Sequence, residues 1–429
     1  MNIILKSLES IEKEITLNQK KKLLEELINE FDGSPKKILL IPPDFTRYHS
    51  KGGQITQVLY HLLKKNCQVK VLPALGTHSP LTDNEISVMF EGIPKERFMV
   101  HDWRNDVIEI GVVPQEVVED LSEGKVNYSI KVEINKEILE TNYDLIISIG
   151  QVVPHEVAGM ANGNKNILVG VGGSDIINKS HFLGACYGME RMIGKSDNPV
   201  RELFDYAEST FLSDIPLLYI LTVLTVDESG KPTLKGIYTG NDNQSFKKAA
   251  KLSQKINLTF LNNPIDKIVV FLDPTKFKST WLGNKAIYRT RMALEDDGEL
   301  IILAPGLKQF GEDKTIDQII RKYGYRNSSE IINLVKKNED LQQNLSAAAH
   351  LIHGSSENRF KITYCPRYIR KNEIERVNYQ YKDLSEVINV YNPSKLKEGF
   401  NQLPDGEEIF FIRNPAIGLW TVEEKFKQM

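Results

Sequence analysis

The chain has 429 residues, enough for two domains of ordinary size, each with its own apolar core. Hydrophobic residues at 41% and charged residues at 26% are the balance of a globular protein. A formal charge of −3 gives no support to nucleic-acid binding, and no apolar run is long enough to span a membrane.

The N-terminal stretch MNIILKSLESIEKEI mixes charges with its apolar residues and lacks a secretory core, so the cytoplasm is the simplest compartment. Short apolar runs then alternate with helical patterns. KKILLIPP ends at Pro42 and Pro43. The stretch GGQITQVLYHLLKKN follows, with Ile55, Val58, Leu59, Leu62 and Leu63 on one helical stripe. QVKVLPALG ends at Gly76, and YDLIISIG, LLYILTVLTV, DKIVVFLD, GELIILAPG, RFKITYC and EIFFIRN come later. Runs this rich in Ile, Val and Leu read as strands buried on both faces of a parallel sheet. A long helical stretch, SEIINLVKKNEDLQQNLSAAAHLIH, precedes RFKITYC.

The alternation predicts an α/β fold of two domains with mainly parallel sheets and the active site in the interdomain cleft. The polar turn and helix of TGNDNQSFKKAAKLSQKINLTFLNNPID set the boundary. The expected domains are residues 1–262 and 263–403, with 404–429 returning to the first. Cys67, Cys186 and Cys365 are far apart, which argues against disulfides or a thiolate metal site.

Ligands of open α/β sheets bind beyond the carboxyl ends of strands, so polar residues just after the apolar runs are the candidates. Asp44, Thr46 and Arg47 follow the first run; a helix cap is the plain reading, but Arg47 adds a fork-shaped cation suited to a carboxylate. His78 follows the second run behind Gly76. His101 and Asp106 read as structural. The richest segment is HEVAGMANGNKNILVGVGGSDIINKSH, residues 155–181, with His155, Lys165, His181 and glycines that allow close backbone approach. GMANGNK fails the P-loop spacing and GVGG fails the dinucleotide fingerprint, so classical ATP and NAD sites are disfavoured. The residues alone leave open a metal- or anion-binding α/β enzyme.

The Asp-x-Thr-Arg loop at Asp44, the Gly-x-His-x-Pro turn at Gly76, and the order His155, Lys165, His181 together resemble the nickel-pincer lactate racemase family. That family includes racemases and epimerases of other 2-hydroxy acids. The resemblance runs from about Leu39 through His181 and resumes at NKAIYRTRMA. It implies a nickel-pincer nucleotide (nickel pyridinium-3,5-bisthiocarboxylic acid mononucleotide) joined to Lys165 through a thioamide, with His181 as nickel ligand. It implies proton handling by His78 and His155, cofactor and substrate contacts by Asp44, Phe45, Thr46 and Arg47, and inversion of the substrate by proton-coupled hydride transfer. It also implies cofactor-biosynthesis proteins as partners.

One departure concerns the substrate. In lactate racemase a Gln and a Lys after a tyrosine hold the carboxylate. Here Tyr288 is followed by Arg289 at the Gln position, while Arg291 stands one residue short of the Lys position. Two arginines suggest a larger acid than lactate, with D-gluconate epimerised at carbon 2 as the leading expectation and malate the second. The family's tryptophan has no match near His350, His353 and Ser355, which could instead bind hydroxyls. A zinc hydrolase or lyase on His78, His155 and His181, and a sugar-acid sensor without turnover, are the alternatives from other classes.

Overall fold

Every apolar run of the sequence forms a strand in the computed structural model, which describes residues 6–31, 35–226 and 231–428. Residues 1–5 of the N-terminal stretch lie outside the described residues. The chain divides into two compact units.

The first unit holds Met1–Ser180 and Gly194–Asn257. Its sheet is made of β1 (Lys6–Glu9), β2 (Lys37–Ile41), β3 (Gln68–Val71), β4 (Leu145–Gln151), β5 (Leu217–Val226) and β6 (Pro232–Gly240), ordered β1-β6-β5-β4-β2-β3. The run β3-β2-β4-β5 is parallel; β6 and β1 add an antiparallel edge. Burial is two-sided, as expected for a covered parallel sheet. On one face Ile38, Leu40, Val69, Val71, Ile147 and Ile149 pack with helices α1 (Leu17–Ile28) and α2 (Gly52–Leu63). On the other face Leu39 and Ile146 are also fully buried. The stripe read on α2 supplies Ile55, Leu59 and Leu63 to that core, with Val58 and Leu62 partly buried beside it. Thr16 starts α1 with a capping box: its side chain accepts from the Gln19 N–H, and the Gln19 side chain accepts from the Thr16 N–H.

Parallel strands send all their carboxyl ends to one edge. The residues after β2, β3 and β4 therefore emerge together, and these are the segments with Asp44, His78 and His155. Pairing continues past the strands: the Ala74 N–H donates to the Pro42 carbonyl (2.8 Å), and the Leu72 N–H donates to the Leu40 carbonyl (2.9 Å).

The second unit holds His181–Ile193 and Leu258–Met429. Its main sheet contains β7 (Ile265–Phe271), β8 (Leu294–Ala304), β9 (Lys361–Pro366), β10 (Gln380–Tyr381), β11 (Gly399–Gln402) and β12 (Glu408–Ile412), in the order β10-β9-β8-β7-β12-β11. All neighbours are parallel except β11 with β12.

Three expectations change. Residues 404–429 do not return to the first unit: β12 pairs with β7 at Ile268–Phe410, and Leu419–Val422 pairs with Leu258–Leu261. The boundary falls after Asn257, because helix Asn243–Asn257 packs on β5 and β6 of the first sheet while Leu258 begins a strand of the second unit. The long helix expected before RFKITYC is three helices, Ser328–Val335, Glu339–Gln342 and Leu345–His353. Asn338 and Asn344 stand at the starts of the second and third, at extended or irregular backbone angles that end the preceding turn. No helix among the described residues is long and apolar enough to cross a membrane.

Candidate active site

Asp44 occupies the N-cap position of the short 3-10 helix Phe45–Ser50, yet its side chain makes no cap bond. The helix-cap reading of this residue therefore fails. One carboxylate oxygen accepts the Thr46 hydroxyl (2.7 Å) and the other meets His78 Nδ1 at 2.5 Å. Asp44 is 5% exposed. Burial pushes its carboxyl up, but the His78 hydrogen bond and charge, the Thr46 hydroxyl and Arg47 outweigh this and hold it below the ordinary value. An ionised Asp44 fixes the proton of His78 on Nδ1, which leaves Nε2 with its lone pair. The His78 side chain is 42% exposed. The turn that carries it depends on Gly76, whose φ of +56° is left-handed; its N–H donates to the Gly170 carbonyl.

Phe45 packs against the first unit's core, with its ring 5.4 Å from that of Tyr48. Thr46 is spent on Asp44. Arg47 is half-buried, and its charge reaches both Asp44 and Lys165.

His155 ends the small strand Pro154–His155, is 8% exposed, and is oriented in the opposite sense. Its Nδ1 accepts from the N–H groups of Val157 (3.1 Å) and Ala158 (3.4 Å). The proton of the neutral ring consequently sits on Nε2. Glu156 Oε2 lies 4.0 Å from Nδ1, a carboxylate placed to favour a proton there.

Lys165 precedes a π-helical turn, Asn166–Gly170, a form of helix often found at functional sites. The Asn166 amide anchors this turn to the sheet edge by donating to the Ile41 carbonyl (3.3 Å) and the Ser148 hydroxyl (2.9 Å). Among the described residues the Lys165 amine has no hydrogen-bond or ion-pair partner. Burial, with the charges of Arg47 and Arg201, lowers its pKa to about 8; Glu156 opposes the shift. The first unit thus brings Asp44, Thr46, Arg47, His78 and Lys165 to one edge.

In the second unit, helix Lys285–Thr290 carries Tyr288 and Arg289, and Arg289 is 1% exposed. Arg291 has a structural post rather than the expected substrate role: its Nε donates to Glu190 (2.7 Å) and its Nη1 to the carbonyls of His353 and Ser355 (3.2 Å each). Arg359 holds the same Glu190 oxygen at 2.6 Å. Burial raises the Glu190 carboxyl, but the two arginines keep it below its ordinary value. His350 is fixed on every side. Its Nδ1 pairs with the Tyr288 hydroxyl (2.8 Å), its Nε2 with Tyr325 (3.1 Å), and its ring lies tilted against Trp281 at 4.3 Å. Ser355 donates to Glu357. His181 is half-buried in the middle of helix Ser174–Tyr187. His101 is structural as expected. Its Nε2 donates to the Gly172 carbonyl (3.0 Å), its Nδ1 accepts from Asn135 (2.9 Å), and burial lowers its pKa.

Sequence reasoning missed Arg201, Glu156 and Glu190. Arg201 and Asp205 at four-residue spacing on a polar-faced helix read like a surface pair, whereas Arg201 is 3% exposed and bonds to the loop before Lys165.

Residues 3–191 match the family model described as the lactate racemase N-terminal domain. A lactate racemase of Thermoanaerobacterium thermosaccharolyticum is 28% identical over 283 residues, 63% of this chain. That match spans 60% of the relative's length. Among solved structures, a Thermotoga maritima protein superposes with a TM-score of 0.82 at 23% identity, covering 97% of this chain and all of that one. The lactate racemase apoprotein of T. thermosaccharolyticum gives 0.67 at 19% identity, covering 94% of this chain and 92% of the other. At these identities the structural likeness speaks for the fold.

Proposed function

We propose that the chain is a member of the lactate racemase family, whose N-terminal-domain model residues 3–191 match, and that it is an isomerase inverting the α-carbon of a 2-hydroxy acid. The observation that carries this reading is the shared strand-end edge: an Asp44–His78 dyad whose imidazole is partly exposed, together with a Lys165 amine that no carboxylate among the described residues pairs with.

The residues suit the nickel-pincer nucleotide implied by the family. Acylation of a lysine needs its neutral form, and an amine titrating near 8 holds a useful share of it at neutral pH. Arg47 and Arg201 favour an anionic mononucleotide nearby. Lys165 would join the group through a thioamide, and His181 would be its protein ligand to nickel. When bound, the cofactor supplies a hydride acceptor, which spares the substrate a carbanion next to its own carboxylate.

The chain's own residues do the rest. Arg47 offers a bidentate clamp for the carboxylate and orients the α-carbon. His78 accepts the hydroxyl proton at Nε2 while Asp44 stabilises the imidazolium that forms. Inversion needs a second proton carrier, and His155 fills that role only once a proton occupies Nδ1. Glu156 faces that nitrogen, and the two backbone N–H bonds must then be given up. The favoured substrate is a sugar acid such as D-gluconate, with malate the runner-up. Arg289 now supports this choice alone, since Arg291 is held by Glu190. The proteins that build and load the cofactor are the implied partners, and the cytoplasm the implied compartment. The zinc alternative draws no support: among the described residues no three His, Cys, Asp or Glu side chains gather closely enough to hold a metal ion.

The test is turnover of a panel of 2-hydroxy acids labelled with deuterium at the α-carbon, using protein that carries its cofactor. The reading expects one acid to invert with its label retained. Rapid loss of the label to water contradicts the redox route, and inversion of none contradicts the isomerase assignment.

A further inference from the structure

We infer that Arg201 is a positioning residue for the Lys165 amine, holding the loop before it at three points and adding a cation to the charges that act on the amine. The inference rests on the reading of Lys165 as the cofactor tether.

Arg201 lies on helix Pro199–Phe211, beginning after an Asn198 cap whose side chain accepts from the Arg201 N–H. Its Nη2 donates to the carbonyls of Met160 (2.5 Å) and Asn162 (2.7 Å), and its Nη1 to Asn164 Oδ1 (2.8 Å). The ring of Phe246 lies 4.1 Å from the guanidinium carbon and fixes its plane. The loop needs holding. Gly159, Asn162 and Gly163 all adopt left-handed φ angles, at 68°, 65° and 66°. For Asn162 that conformation costs energy, which the two flanking Arg201 bonds offset.

The nearby carboxylates are turned to other partners. Asp205 accepts from the amides of Asn164 (2.7 Å) and Asn243 (2.7 Å). Glu208 accepts from the Tyr219 hydroxyl (2.5 Å) and from Asn164 (3.0 Å). Asn164, the residue next to Lys165, therefore joins Arg201 to its counter-charges without letting them reach the amine. The charged groups acting on Lys165 are Arg47 from the segment after β2, Arg201 from its helix, and Glu156 from the segment after β4. Two cations against one anion, in a half-buried place, keep the amine uncommitted and more often neutral. A nucleophile about to be acylated requires that state.

The experiment reads Lys165 directly, in full-length protein made in a host without the cofactor pathway. The protein is acetylated with a water-soluble N-hydroxysuccinimide ester across a pH series centred on about 8, and Lys165 is quantified by peptide mass spectrometry. The amine nitrogen forms a bond to the acetyl carbon, the carbon–oxygen bond to N-hydroxysuccinimide breaks, and the displaced proton passes to solvent. Wild-type labelling should rise with a midpoint near 8. Arg201→Met removes the cation and should move the midpoint upward, cutting labelling at the former midpoint by about threefold to tenfold. Arg201→Lys keeps the charge but lacks the fork, so the midpoint should stay while the plateau falls about threefold or more. Circular dichroism reports folding. Should both Arg201 variants fail to fold, Asn164→Ala removes one of the three holds and should lower the plateau. A folded Arg201→Met with unchanged midpoint and plateau overturns the inference, as does Asn164→Ala with a wild-type plateau. A shifted profile with no adduct on native protein overturns the tether but keeps the positioning role; an adduct with an unshifted profile does the reverse.

Discussion

Two histidine environments, one in each unit, show how one residue type is set to opposite tasks. His78 in the first unit has one nitrogen bound to a buried carboxylate and a side chain 42% exposed. His350 in the second has both nitrogens engaged, a tryptophan against its ring, and 5% exposure. The first can exchange a proton with something that arrives; the second can only keep its neighbours in place. His101 repeats the second pattern within the first unit, so the contrast belongs to the wiring and not to the domain. The lesson is that a strand-end histidine becomes a candidate acid–base group when one nitrogen is anchored and the other left over.

The comparison can be broken by substitution. Lys165→Ala should have the largest effect, eliminating both turnover and covalent cofactor, read by activity and intact mass. His78→Ala and His155→Ala should each lower turnover by about a hundredfold to ten-thousandfold, because each removes a proposed proton carrier. Equal loss on replacing His350 in a protein shown to be folded would erase the distinction between the two environments. Asp44→Asn should cost about tenfold to a hundredfold, since an amide no longer selects the Nδ1–H form of His78. His350→Ala should instead lower stability by about 2–4 kcal/mol, seen as an earlier thermal unfolding transition, because two buried hydrogen bonds and a close ring contact are lost. The smallest effect is pH-dependent. Burial depresses the pKa of His101 below its ordinary 6.5, so the unfolded chain takes up the proton first. Stability should therefore be whole above 6.5 and decline as pH falls through that value toward the depressed one, a decline that His101→Asn should reduce.

Much of this was legible in the sequence, for physical reasons that differ by region. Two-sided burial writes continuous Ile, Val and Leu into β2, β4, β7 and β8, and the parallel arrangement then fixes the edge on which Asp44, His78 and His155 emerge. The antiparallel edge was not legible, since β1 reads KSLE and β6 reads PTLKGIYTG, both too polar to resemble covered strands. The place of β12 was hidden because its apolar run fits either sheet equally well. Arg291 misled because its partner, Glu190, is 101 residues away in sequence. Arg201 was missed because a buried arginine that donates to backbone carbonyls leaves no trace in spacing or charge.

The central claim is that Lys165 carries the cofactor, and native protein from a host with the cofactor pathway tests it most directly. Intact mass followed by peptide mapping should find one mononucleotide-sized adduct on Lys165, with nickel bound in equal amount. An unmodified Lys165 in protein that is fully active would contradict the account.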